Sequence, residues 1–291
     1  MGVIPEAEEV READGVPKVQ QAEAAHELAR RLDLPLLPLS QGARDLPPGQ
    51  AVIAMIDGVP MIQLTGRGVA GPVTVDFGDK SMAQRRRAGH NELLGKAVGW
   101  KQAHAPRVLD GTGGFGRDAF LLADLGCEIT VCERNPVMAA LLDAALSRAA
   151  GSGDGWLASV VARMTVHHQD ARSLTPSLLE GVEVIYLDPM FPLDRRAAPA
   201  KEMQILHELL SPRAQHQDSA GPDSPGRLDD SPSQDAEDAV FLAWARAQNV
   251  KRVVVKRPRR APAIDGPPPG HSLTGKAVRF DVYPVSREAQ T

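Results

Sequence analysis

Apolar and polar positions along the chain follow two different periods, which divide it into a front section and a longer second section. Residues 19–32, VQQAEAAHELARRL, place apolar side chains at helical spacing and predict a helix. The runs AVIAMIDG, VPMIQLTG and PVTVDFG follow, and they predict a small sheet between residues 51 and 78. Residues 81–100 are typical of a partly helical segment. We therefore expect a flexible tail over residues 1–16 and a small N-terminal α/β domain over residues 17–100.

The second section alternates between short apolar strands and amphipathic helices. Strands are predicted at 107–110, 128–133, 164–170, 182–188, 252–256 and 278–285, and helices at 118–126, 136–150 and 236–248. Regular alternation of this kind is typical of a parallel, doubly wound sheet covered by helices. The predicted fold class is therefore α/β, with a Rossmann-like, mostly parallel sheet over residues 101–291. Residues 211–235, rich in Pro, Ser, Asp and Gly, are too polar for a core and predict a disordered insertion.

Composition excludes several classes of protein. The 291 residues are 43% hydrophobic and 24% charged, which is ordinary for a globular protein and unlike a fibrous or disordered one. No apolar run approaches the roughly 20 residues that cross a bilayer, and the acidic N-terminus does not resemble a signal peptide. We expect a cytoplasmic protein without a membrane partner. The two cysteines, Cys127 and Cys132, are too few for a disulfide framework or a thiolate zinc site, and no metal is predicted.

Charge is distributed unevenly along the chain. The net charge of −4 conceals a charge of −4 in residues 1–16 and of −6 in residues 215–238, so the remainder carries +6. Positive clusters of this remainder are typical of a surface that contacts phosphates, and a solvated surface is the alternative interpretation. The predicted RNA-binding residues are Arg85, Arg86, Arg87, Lys256, Arg257, Arg259 and Arg260.

The segment VLDGTGGFGRD carries the strongest local signal. A strand ends at Asp110, and Gly111, Gly113 and Gly116 then match G-x-G-x-x-G, a turn that brings backbone N–H groups and a helix N-terminus close to a ligand. Glu133 ends the next strand, where an acid accepts ribose hydroxyls. The pattern predicts a nucleoside-cofactor site. It leaves open hydride transfer with NAD and methyl transfer with S-adenosylmethionine.

The fourth strand of this section favours methyl transfer. In VIYLDPMFP, the strand ends in an acceptor (Asp188), a rigid turn (Pro189) and a ring for stacking (Phe191), at the edge where such sheets bind ligands. This set suits a flat base whose exocyclic amine must be held with its lone pair toward a methyl group, and positioning supplies most of such catalysis. We assign these three residues to the catalytic site. An NAD-dependent oxidoreductase is the alternative enzyme, but no hydride-relay His or Tyr–Lys pair follows Gly116; a non-catalytic RNA-binding or assembly protein is the alternative without chemistry.

Four motifs in this order resemble the RsmJ family of class I, S-adenosylmethionine-dependent methyltransferases. They are DGTGGFGRD from Asp110, ERNP from Glu133, LDPMFP from Leu187 and KRVVVKRP from Lys251, and the resemblance extends from Val75 to Pro284. It implies methylation of guanine N2 in 16S rRNA near its 3′ end, with the RNA or the small ribosomal subunit as partner.

The resemblance also implies a set of residues around the cofactor. Glu133 is expected to accept from the ribose, and Asp170 to meet the adenine amine. The cofactor-binding residues are expected to be Asp110, Gly111, Gly113, Gly116, Arg117, Asp118, Glu133, Arg134, Asp170, Ala171 and Asp188.

Overall fold

The chain divides into two compact units. The computed structural model describes residues 1–4, 18–37, 42–69, 71–80, 82, 84, 90–189 and 233–285. One unit contains residues 1–74, and the other contains residues 75–191 and 230–291. The sequence placed the division after residue 100. The division lies earlier because helix α2 (His90–Val98) packs against the large sheet of the second unit.

The first unit is a three-stranded sheet with a helix. Its elements are β1 (Val3–Ile4), α1 (Lys18–Leu32), β2 (Ala51–Ile56) and β3 (Val59–Leu64), with the strands in the order β1-β2-β3. Strands β2 and β3 form an antiparallel hairpin whose turn, Asp57-Gly58, has φ values of 51° and 71°. Two positive φ angles are what a tight hairpin turn requires, and Asp-Gly tolerates them well. Helix α1 confirms the predicted helix.

Two expectations for the first unit do not hold. The run PVTVDFG forms no strand in the described residues, where Val73 makes a single bridge to Ile62. Val3 and Ile4 were predicted to lie in a flexible tail, but they pair in parallel with Ile53 and Ala54 of β2. The two residues are buried, because this pairing closes one edge of the sheet over apolar side chains. Residues 5–17 lie outside the described residues.

The second unit is a seven-stranded sheet with helices on its faces. Besides α2, its elements are β4 (Val108–Asp110), α3 (Arg117–Asp124), β5 (Ile129–Cys132), α4 (Pro136–Gly151), α5 (Gly155–Val161), β6 (Met164–His167), a 3₁₀ turn (Ala171–Ser173), α6 (Pro176–Leu179), β7 (Val184–Leu187), α7 (Gln234–Arg246), β8 (Arg252–Pro258), β9 (His271–Thr274) and β10 (Val278–Pro284). The strand order over the described residues is β6-β5-β4-β7-β8-β10-β9. The first five strands run parallel, and β10 is antiparallel to both of its neighbours. The predicted α/β class and mostly parallel sheet are confirmed.

Local sequence explains where these elements begin. Asn135 caps α4 by accepting from the backbone N–H groups of Val137 and Met138, and Pro136 occupies the first helical position. All four residues of β7 are buried, as expected of a parallel strand covered on both faces. Helix α7 begins at Gln234 behind the cap Ser233, so the last two residues of the predicted insertion are helical. Residues 211–232 lie outside the described residues.

The strand order determines where a ligand can bind. It reverses at β4, whose neighbours β5 and β7 lead to opposite edges of the sheet. Ligands of open α/β sheets bind outside the carboxyl ends of the strands at such a point.

No helix within the described residues is long and apolar enough to span a membrane.

Candidate active site

The turn after β4 is hydrogen-bonded to both neighbouring strands, β7 and β5. The backbone N–H of Gly111 donates to the Tyr186 carbonyl at 2.9 Å, and that of Gly113 donates to the Cys132 carbonyl at 2.9 Å. A Cβ atom at Gly113 would lie 2.8 Å from Cγ1 of Val131, so a side chain does not fit there. Gly116 has a φ of 65° immediately before α3. The glycines of the motif therefore keep a close turn where the strand order reverses, with no side chain at Gly111, Gly113 or Gly116.

Glu133 lies against this turn from the end of β5. Its Oε2 accepts from the Gly114 backbone N–H at 2.7 Å, and its Oε1 accepts from the Asn135 backbone N–H at 2.7 Å. Burial raises the pKa of Glu133, and the two backbone hydrogen bonds oppose that rise. A carboxylate has about four acceptor positions, so each oxygen retains capacity for a hydroxyl. The carboxylate and the bare turn together fit a ribose-containing cofactor.

Asp110 is buried at the carboxyl end of β4. Its Oδ1 accepts from the backbone N–H of Thr112 at 3.0 Å and from the Thr112 hydroxyl at 3.3 Å. Burial, together with the negative charges of Asp118 and Asp188, raises the pKa of Asp110 to about 7, and the hydrogen bonds from Thr112 oppose that rise. Near neutral pH this carboxyl is therefore only partly ionised.

A second acid, Asp188, follows β7 and is part of a polar cluster. Lys256 Nζ donates to Asp188 Oδ2 at 2.9 Å and to Asp118 Oδ2 at 2.7 Å, and the Tyr186 hydroxyl donates to Asp118 Oδ2 at 2.6 Å. The backbone N–H of Asp188 donates to the Thr112 hydroxyl at 2.7 Å. The Asp188 side chain is 38% exposed. Of the four side chains linked in this cluster, it is the one most open to a substrate.

Asp170 and Ala171 lie beyond the end of β6, where Asp170 caps the 3₁₀ turn that Ala171 begins. The Asp170 carboxylate accepts from Arg172 Nε at 2.9 Å and Nη2 at 2.6 Å, and this pair lowers the pKa of Asp170. The Arg172 guanidinium lies 5.3 Å from the centre of the Phe241 ring on α7. Ala171 is buried. An adenine amine would have to share the Asp170 carboxylate with Arg172.

Arg117 and Arg134 lie at the starts of the helices beside the turn. The Arg117 guanidinium lies 5.2 Å from the centre of the Phe115 ring. The Arg134 side chain is 56% exposed and pairs with Glu237 of α7 at 3.6 Å. Both predicted cofactor residues are therefore near the turn, with protein partners of their own.

The structure separates the predicted basic residues 256–260 into a pair within β8 and a pair beyond it. Lys256 bridges two carboxylates, and Arg257 is only 3% exposed, donating to the Pro262 carbonyl and lying 3.6 Å from Asp238. Neither residue is presented to a phosphate, because adjacent strand residues point to opposite faces and both faces of β8 are covered. Arg259 and Arg260, beyond the strand, are exposed. Arg85, Arg86, Arg87 and Phe191 lie outside the described residues.

Sequence reasoning missed the side chains that connect the strand ends. Thr112 links β4 to β7, and Tyr186 is fully buried with its hydroxyl on Asp118. A tyrosine in an otherwise apolar strand signals that its hydroxyl has a buried partner. Lys256, which directly follows the apolar run of valines at 253–255, carries the same signal. Phe241 had no such signal, because its ring resembles any apolar position of α7.

Within the described residues, no group of three or more His, Cys, Asp or Glu side chains is arranged to hold a metal ion. Cys127 and Cys132 are both buried. The polar groups that the structure brings together at this site are carboxylates, one lysine, a tyrosine and backbone N–H groups.

The chain is similar to proteins of known class over most of its length. A family model described as "Putative SAM-dependent methyltransferase" matches residues 50–219 and 232–285. A protein from Pseudomonas aeruginosa (strain UCBPP-PA14), named ribosomal RNA small subunit methyltransferase J, is 40% identical over 267 residues, which is 90% of each chain. A protein of the same name from Halorhodospira halophila is 42% identical over 243 residues, 82% of each chain. The crystal structure of a SAM-dependent methyltransferase from Neisseria gonorrhoeae has a TM-score of 0.66 at 29% identity and covers 98% of this chain and 96% of its own.

Proposed function

Because the chain belongs to the RsmJ family of S-adenosylmethionine-dependent ribosomal RNA methyltransferases, we propose that it methylates the N2 amino group of a guanine in 16S rRNA. The name that its relatives share supports small-subunit ribosomal RNA as the substrate. The observation that carries the choice of an amine is Asp188, a half-exposed acceptor beside the cofactor turn. Such a substrate belongs to the cytoplasm, where we propose the enzyme works.

The cofactor is S-adenosylmethionine, and the glycine turn with Glu133 would hold its nucleoside. When bound, the cofactor supplies a methyl group on a positively charged sulfonium, so the protein need not create a leaving group. The acidic surroundings of Asp110, Asp118 and Asp188 suit a cationic ligand by simple electrostatic attraction. Arg117, Arg134, Asp170 and Ala171 complete the proposed cofactor surface.

Asp188 has the role of orienting the amine. A guanine N2 group has two hydrogens, and an acceptor that holds one of them directs the nitrogen lone pair away from itself. No strong base is required, since the amine can release its proton to water after transfer. Positioning of this kind accounts for large rate effects when the acceptor is itself held rigidly. Pro189, which is buried after β7, fixes the turn, and Phe191 is proposed as the ring that stacks on the base.

RNA phosphates are proposed to contact Arg259, Arg260 and the run Arg85, Arg86 and Arg87. The target base would have to leave its stack to reach Asp188, as bases do in other nucleic-acid methyltransferases. Lys256 and Arg257 are not included, because their side chains are engaged inside the second unit.

The test is methyl transfer from radiolabelled S-adenosylmethionine to 16S rRNA, both naked and in assembled small subunits, followed by nucleoside analysis. We expect label in N2-methylguanosine. We also expect Asp188→Asn to lower kcat by about a hundredfold or more, with much smaller changes in RNA and cofactor affinity. Label in another nucleoside would refute the proposed target, and complete absence of transfer would favour the non-catalytic RNA-binding alternative. Wild-type kcat in Asp188→Asn would remove Asp188 from the mechanism.

A further inference from the structure

Lys256 and Asp188 are placed side by side by the register of the sheet. Strands β7 and β8 run parallel with Leu187 opposite Val255. The residues that follow these two, Asp188 and Lys256, therefore lie side by side at the same edge of the sheet. Lys256 Nζ lies 2.9 Å from Asp188 Oδ2, and its side chain is 21% exposed. This edge is the one that carries the glycine turn. Lys256 therefore belongs to the candidate active site rather than to the outer surface.

The ammonium group of Lys256 is fixed from a second direction. It donates to Asp118 Oδ2 at 2.7 Å, and the same oxygen accepts from the buried Tyr186 hydroxyl at 2.6 Å. Asp118 stands in the first turn of α3, directly after the glycine turn. Lys256 thus connects α3 to the end of β7, and its position is determined by two elements that do not depend on a bound substrate.

The groups around Lys256 are mostly acidic. Asp118 of α3 and Asp188, which follows β7, both pair with Lys256, and Tyr186 of β7 donates to the same Asp118. Asp110 at the end of β4 is near enough to these two carboxylates for their charges to raise its pKa, and Phe280 of β10 lies opposite Lys256 in the ladder. Burial alone would lower the pKa of Lys256, but the charges of Asp118 and Asp188 more than offset this and raise it. Burial raises the pKa of Asp188, and the charge of Lys256 opposes that rise. The lysine is therefore a permanent cation that favours an ionised Asp188.

Asp188 is held at both its backbone and its carboxylate. Its N–H donates to Thr112 and its Oδ2 accepts from Lys256. Among the described residues, no hydrogen-bond donor reaches Oδ1. A substrate amine that donates to Oδ1 would meet a carboxylate whose direction is already set.

We propose that Lys256 is a positioning residue that holds the Asp188 carboxylate in a single orientation for the substrate amine. The proposal rests on the role of Asp188 in the proposed function. It assigns to Lys256 a task different from phosphate binding, which the basic run KRPRR would suggest. Loss of Lys256 should accordingly affect turnover and the titration of Asp188 more than the binding of RNA.

The experiment compares Lys256→Met, which removes the charge at similar length, with Lys256→Gln, which removes the charge but keeps a donor. Lys96→Met is the matched control, because Lys96 is a surface lysine that pairs with Glu92 on α2. Carbon-13 NMR of labelled aspartate follows the Asp188 carboxyl through a pH titration, with Asp188→Asn to assign the signal. This readout needs no RNA, and the assignment separates the signal of Asp188 from that of Asp110, whose pKa is also raised by burial.

In both charge-removing variants we expect the titration midpoint of Asp188 to rise by about one pH unit or more. We expect kcat to fall about tenfold in Lys256→Met, less in Lys256→Gln, with the KM for RNA within about twofold of wild type. Lys96→Met should match wild type in every measurement. An unshifted Asp188 midpoint in folded Lys256→Gln or Lys256→Met overturns the proposal.

A raised KM for RNA at unchanged kcat would also overturn the proposal and return Lys256 to phosphate binding. The wild-type rate on 16S rRNA in the same assay tests the proposed function by itself. If wild type methylates normally and the Asp188 midpoint is unshifted in the Lys256 variants, only the role of Lys256 is refuted. If the midpoints shift but wild type does not methylate, only the proposed function is refuted.

Discussion

At the scale of single residues, two acids at strand ends, Asp110 and Asp188, lie close to a third, Asp118 in the first turn of α3, but the three are held in different ways. Asp110 is bonded only to its own turn through Thr112, among the described contacts, and is buried. Asp188 and Asp118 share the ammonium group of Lys256. A charge that lacks a cation is costly to bury, while a paired one is less so. Ionisation of Asp110, which has no cation beside it among the described contacts, therefore opposes folding.

The pH dependence of stability should reveal Asp110. Its pKa is about 7 in the folded protein, against an ordinary value of 3.8 for an aspartate. The folded state binds the Asp110 proton more tightly than the unfolded state, so the protonated carboxyl stabilises the folded protein. This stabilisation is complete below about pH 4 and is lost as the pH rises through 7. One pKa unit corresponds to about 1.4 kcal/mol, so the loss is on the order of 4 kcal/mol. Asp110→Asn removes the titrating group. Between pH 4 and 8, the free energy of unfolding of this variant should therefore rise relative to that of wild type by about 4 kcal/mol.

Urea unfolding of both proteins at a series of pH values measures this difference. Two stability profiles that run parallel across the range would show that Asp110 keeps an ordinary pKa in the folded state.

At the scale of elements, the turn between β4 and α3 joins the fold to the cofactor site. Gly116 closes it with a φ of 65°, and a Cβ there would lie 2.6 Å from Cδ2 of Leu142 on α4. Gly155 begins α5 without a positive φ, and a Cβ there would have no heavy atom within 4 Å. The two glycines therefore offer a strained and an unstrained position within one unit.

We expect Gly116→Ala to destabilise the protein by about 1 to 3 kcal/mol, because the left-handed conformation is unfavourable for alanine and Leu142 must move. Displacement of the turn should also weaken the binding of S-adenosylhomocysteine. Gly155→Ala, the matched control, should be neutral or stabilising by up to about 1 kcal/mol. Thermal unfolding and titration calorimetry measure the two effects. Equal stability and equal affinity in the two variants would contradict this account of the turn.

At the scale of the whole molecule, the positions of the charges bear more on RNA binding than the net charge does. The net charge is −4, yet Arg259 and Arg260 are exposed beyond the sheet, and Arg257 beside them is buried against Asp238. One basic run therefore contains residues of two kinds. Exposed arginines can release counterions from RNA, whereas a buried one contributes to the fold.

The salt dependence of RNA binding should separate these two kinds. Changing Arg259 or Arg260 to Gln should reduce the slope of log K against log salt by about 0.7 to 0.9 for each phosphate that is no longer neutralised. Arg257→Gln should leave the slope unchanged and lower the free energy of unfolding by about 3 kcal/mol, since it removes the cation beside the buried Asp238 carboxylate. Filter binding at several salt concentrations and urea unfolding provide the two measurements. A slope that falls only for Arg257→Gln would reverse these assignments.

The sequence by itself determined the features that depend on short stretches of backbone. Period and turn chemistry predicted helix α1, most strands of the large sheet and the glycine turn, because alternation and glycine spacing are local constraints. The parallel sheet then implied that Asp110, Glu133 and Asp188 meet at one edge. That inference needs only the direction of the strands, and the structure agrees with it.

Only the tertiary structure decided which charges are exposed and which residues share a contact. Lys256 and Arg257 belong to one basic run, but their partners Asp118, Asp188 and Asp238 come from distant parts of the chain. The pairing of β1 with β2 and the packing of α2 on the second unit are equally non-local. The sequence gives the charge of each side chain but does not show which strand lies next to it in the sheet. Burial and pairing are therefore set when the strands assemble, since neighbours in the sheet need not be neighbours in the chain.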